Sequence, residues 1–113
     1  MMQLTEEKGV PQQVIETRIQ VLKTALPRKY STHNTAILRA RLTEYKFLIE
    51  SLGKAYEKAK TKLYSNFNKL EQRIASIELP DNTIATSRYY YHEAITFMTI
   101  ELINIAHIIN RSE

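Results

Sequence analysis

Arg88 and His92 are four residues apart, one turn of a helix. An arginine that steadies a phosphate beside a histidine that moves a proton is workable nuclease chemistry. Helical ribonucleases use a related pair at wider spacing than the three intervening residues here. The plainer expectation is two polar side chains on a helix rim.

Other catalytic or metal chemistry finds less support. His92 and His107 lie on one predicted helix about 22 Å apart, too far to share a metal ion within one chain. His33 has no Glu-x-x-His or His-Glu-x-x-His context, and two separated glycines build no phosphate loop. No serine sits in a nucleophile elbow. The absence of cysteine excludes disulfides, thiolate metal sites and a cysteine nucleophile, and suits a reducing interior. No catalytic set, metal or cofactor is therefore assigned, and an enzyme is not expected.

Charge offers a second kind of chemistry. Lys54, Lys58, Lys62, Lys69 and Arg73 recur on one flank of a helical pattern, in a chain of net charge +4 and pI near 9.4. Such a ridge can follow a phosphate backbone, making a dimeric nucleic-acid-binding protein the alternative functional reading. No helix-turn-helix spacing, zinc ligands or RNA-binding aromatic motif accompanies it. Tyr89, Tyr90 and Tyr91 point three ways from consecutive helical positions, so they form no single stacking platform.

Apolar periodicity defines the elements that carry these residues. Ile15, Ile19, Leu22 and Leu26 step at four-three-four spacing between Pro11 and Pro27 and predict a helix over about 11–26. Ser31 or Thr32 can cap the next helix. From Thr32 to Leu79 there is no proline and only one glycine, Gly53. Leu38, Leu42, Tyr45, Ile49, Leu52, Tyr56, Ala59 and Leu63 keep one stripe across that glycine. The pattern then slips by one residue to Phe67, Leu70, Ile74 and Ile77, which keeps Asn66 and Arg73 out of the seam. This predicts a long central helix over about 33–78. Pro80 ends it, Asp81 is the expected cap, and a third helix follows over about 82–110.

A helix of that length spans about 69 Å, and the flanking helices together match it. Short connections make both run antiparallel to the central helix, giving a rod two helices thick with an open seam. The expectation is a homodimer sealed by Leu38, Leu42, Tyr45, Ile49, Leu52 and Tyr56. Its charge order pairs two copies about Ala55, with Arg39 near Glu71 and Glu44 near Lys62 to Lys69. The alternative is a monomeric four-helix bundle broken near Gly53.

On the third helix Tyr91, Ile95, Met98, Leu102, Ile105 and Ile109 form the main apolar face. Ile100 and Ile103 fall in its polar arc and are the candidate partner contacts. Glu101 lies outside that arc and is expected to pair with a lysine or arginine across an interface.

The 113 residues make a single all-α domain, with residues 1–10 expected to be a flexible N-terminal segment. The polar start and the interrupted apolar runs predict no signal peptide, no membrane insertion and a cytoplasmic location. The functional expectation is a small helical binding protein acting on another protein, of regulator, inhibitor, immunity-protein or assembly-chaperone type.

Overall fold

A computed structural model describes residues 12–111 of the chain, with side chains over 13–109; the expected flexible segment at 1–10 lies outside them. Four helices account for the described residues: α1 (Gln12–Thr24), α2 (Thr32–Ser51), α3 (Glu57–Ile77) and α4 (Ile84–Arg111). A single 3-10 turn, Lys54–Tyr56, joins α2 to α3.

Local signals set most of the helix ends. Pro27 supplies no N–H, and α1 closes where the Ala25 N–H reaches the carbonyls of Val21 and Leu22 at 3.0 and 3.2 Å. Ser31 is the N-cap of α2: its backbone is extended, and its Oγ accepts the Asn34 N–H at 2.9 Å. The Asn82 side-chain amide donates to the carbonyls of Ser76 and Ile77 at the end of α3, at 2.8 and 3.1 Å. Thr83, rather than the expected Asp81, caps α4 from the position before it, its Oγ1 accepting the Thr86 N–H at 3.1 Å. The cap falls two residues later because Asn82 is occupied with the carbonyls of the helix before.

The expected unbroken helix over 33–78 is not formed. Leu52 leaves the helix with φ −69° and ψ 137°, and Gly53 follows at φ −78° and ψ −175°. Glycine in a helix costs only about 1 kcal/mol relative to alanine, too little to stop a 46-residue stripe alone. Burial supplies the rest. By folding back, α3 lays Leu63, Phe67, Leu70, Ile74 and Ile77 into the same core as Leu38, Leu42, Tyr45 and Ile49. Gly53 is itself buried and has a negative φ, so what matters there is its missing side chain, which lets the chain turn tightly.

The six residues expected to seal a dimer are consequently used within one chain. Leu38, Tyr45 and Ile49 are fully buried, Leu42 and Leu52 nearly so, and Tyr56 packs against the core from the turn. The charge scheme about Ala55 changes partners as well. Arg39 pairs with Glu78 at 3.0 Å, and Glu44 pairs with Arg41 at 2.6 Å.

Helix α4 is the hub. It meets α1, α2 and α3, while α1 meets α2 and α4 but not α3. At 28 residues it spans about 42 Å, which sets the long dimension of a 52 × 24 × 22 Å particle.

Leu70→Ala removes a fully buried side chain shared by this core and should cost about 2–5 kcal/mol in urea unfolding. Ile84→Ala, at a position 72% exposed, should stay within about 0.5 kcal/mol of wild type.

Candidate functional site

Two polar constellations converge on α4, one inside the bundle and one on its surface. The inner one centres on Glu101, whose residue surface is only 5% exposed. Its Oε1 accepts the Tyr45 hydroxyl of α2 at 3.2 Å and the Asn66 side-chain amide of α3 at 3.0 Å. No cation among the described residues pairs with it, so the expected lysine or arginine partner is replaced by two neutral donors. A buried carboxylate without such donors costs several kcal/mol, so this contact makes α2, α3 and α4 interdependent. Burial pushes the Tyr45 hydroxyl far above its ordinary pKa, and the adjacent Glu101 charge and its hydrogen bond add to the shift. With Tyr45 and Glu101 buried and Asn66 half-buried, the cluster positions the three helices against one another.

Asn66 is one of the two residues, with Arg73, that the slipped stripe keeps out of the seam. The slip holds, and Asn66 lies at the seam's edge, half-buried, where it meets Glu101. Only the pairing across helices reveals this role, because an asparagine within an apolar pattern carries no sign of its partner.

The outer constellation lies between α3 and α4, in an open groove of about 490 Å³ lined by Arg73, Tyr89, His92, Glu93, Thr96, Phe97 and Ile100. The Arg73 Nη1 donates to Glu93 Oε1 at 2.8 Å, and its guanidinium lies 4.8 Å from the centre of the Phe97 ring. The Tyr89 hydroxyl donates to Glu93 Oε2 at 3.2 Å, and that hydrogen bond raises the Tyr89 pKa. Half-exposed pairs of this sort contribute up to about 1 kcal/mol, so the arrangement mainly orients the groove's rim.

The other expected residues are now placed. Lys58, Lys62 and Lys69 are exposed on α3, whereas Lys54 stands apart on the 3-10 turn and Arg73 is engaged by Glu93. The ridge of five is thus a row of three exposed lysines on α3, with Arg73 in line but paired with Glu93 and Lys54 off the helix. Ile100 and Ile103 are 54% and 41% exposed. Arg88 and His92 are both exposed on α4, with the His92 ring meeting Tyr91 edge-on at 5.9 Å. No group of three or more histidine or acidic side chains among the described residues is placed to hold a metal ion. No helix among them is long and apolar enough to cross a membrane.

Comparison with protein families, curated proteins and solved structures returned no match. The functional reading rests on this chain's own surfaces.

Tyr45→Phe leaves Glu101 one donor short and should cost about 1.5–3 kcal/mol at neutral pH. Because the folded-state pKa of Tyr45 is raised, its contribution is fully present below pH 10 and is lost as pH rises beyond it. Above pH 10 the wild type should lose about 1.4 kcal/mol more per pH unit than the phenylalanine variant, read from urea titrations across pH 8–11.5.

Proposed function

We propose that this chain is a non-enzymatic helical binding protein that presents the α3–α4 face to another protein. The observation that carries this reading is the row Tyr89, Thr96, Ile100 and Ile103 along α4. Tyr89, Ile100 and Ile103 are 62%, 54% and 41% exposed. The seven-four-three spacing of the row puts it on one side of the helix, beside the half-buried Phe97 and the Arg73–Glu93 pair. An apolar and aromatic centre with an arginine at its edge is the composition that protein interfaces favour. The core supports the same reading: it holds α3 and α4 together without using these residues.

The test is affinity capture with purified wild-type protein, identification of what is retained, and calorimetry on the isolated pair. Ile100→Lys and Ile103→Lys should each weaken that pair about 30-fold or more while leaving helicity unchanged. Unchanged affinity in both variants would overturn the assignment of this face.

A second reading, contact with nucleic acid, is favoured by Lys58, Lys62 and Lys69, exposed at helical spacing on α3. Three lysines release few counterions, so duplex DNA binding should fall with salt with a log–log slope no steeper than about −3. Lys58→Glu with Lys62→Glu should abolish it. Binding that survives the double change, measured by fluorescence anisotropy at two salt concentrations, would remove the ridge from consideration.

A further inference from the structure

The two halves of the bundle, α1–α2 and α3–α4, are joined covalently only through Leu52, Gly53 and the 3-10 turn that begins at Lys54. At Leu52 and Gly53 the φ angles, −69° and −78°, are already helical; only ψ, at 137° and −175°, departs from the helical value. Neither residue has a positive φ, and no proline blocks the path. Ile49, Leu52, Tyr56, Ala59 and Leu63 also keep helical phase straight through the turn. Rotating those bonds, with the 3-10 turn relaxing to α-helix and Tyr56 moving from φ −110° and ψ 18°, joins α2 and α3 into one helix of about 69 Å with an uninterrupted apolar stripe.

We propose that the chain exchanges halves with a second copy of itself, with Leu52–Gly53–Lys54 as the hinge. In the exchanged dimer α1–α2 of each copy packs on α3–α4 of the other. The contacts that join the two halves within one chain are then remade between copies. Among these are the Arg39–Glu78 pair, the Tyr45 hydroxyl on Glu101, the Lys46 ammonium 5.8 Å from the Phe67 ring centre, and the Tyr91 hydroxyl on the Pro27 carbonyl. The second copy is the occupant that fits because every one of these surfaces already matches its counterpart on the same sequence. The α3–α4 groove is unchanged by the exchange, since both of its helices move together.

The chain has no cysteine, which makes a direct test available. Arg39→Cys and Glu78→Cys are made as separate proteins, mixed, concentrated, and treated with a short bis-maleimide crosslinker. Exchange brings position 39 of one copy beside position 78 of the other and yields a crosslinked heterodimer. The double variant Arg39→Cys/Glu78→Cys, crosslinking within one chain, verifies that the reagent spans the gap.

Light scattering on two hinge variants reads the equilibrium. Gly53→Ala favours the helical hinge about fivefold per chain and, with two hinges per dimer, should raise the dimer association constant about 25-fold. Lys54→Pro should lower it more than about 100-fold per hinge, because proline is accepted at the exposed first position of the 3-10 turn but not inside a long helix. Absence of the heterodimer in the Gly53→Ala background, with the double-cysteine control crosslinked, overturns the proposal even if Lys54→Pro fails to fold. So does a dimer that persists in Lys54→Pro and dissolves in Ile100→Lys, which would assign association to the α4 face.

Discussion

The apolar stripe of α2 has to be covered, and the chain covers it with its own second half. Leu38, Tyr45, Leu48 and Ile49 are buried to 1% exposure or less. Leaving them in water would forgo roughly 1.5–3 kcal/mol for each large side chain. The reversal at Leu52–Gly53 is the consequence of that demand rather than of any strong local break. It turns a potential rod into a bundle, and it decides which residues become neighbours everywhere else.

Once α3 lies beside α2, α4 can serve all three other helices. Its 28 residues carry Tyr91, which meets the α1–α2 connection, and continue to Ile105 and Ile109 in the core. Near the middle of this length Glu101 is held by Tyr45 and Asn66. A misaligned helix would leave the carboxylate buried without donors, so this one polar contact penalises wrong registers more strongly than interchangeable apolar contacts can. Tyr91 plays a lesser version of that part, its hydroxyl donating to the Pro27 carbonyl at 2.5 Å while its ring meets Tyr30 edge-on.

What the core does not use lies on the outside of the bundle. Tyr89, Ile100 and Ile103 are on the outer side of α4, and Lys58, Lys62 and Lys69 line α3. The two rows flank the Arg73–Glu93 pair, whose arginine is drawn from the lysine row toward Phe97. The apolar row and the basic row are therefore distinct surfaces separated by a neutralised strip.

The all-α class, the first helix, a cap at Ser31 or Thr32, the slipped stripe of α3 and the buried face of α4 were all legible in the order of residues. Each depends on interactions within a few residues or on a repeat of 3.6, which a linear sequence displays directly. The same periodicity read straight through Gly53, because phase records which residues share a face and not whether the helix continues. The partners of Glu101, the engagement of Arg73 by Glu93 and the use of the dimer seam inside one chain were decided only by tertiary structure. They join residues 20 to 56 positions apart, and whether such residues meet depends on where the chain turns back. That turn is set by the burial of whole helices against one another, a sum over many side chains that no short stretch of sequence contains.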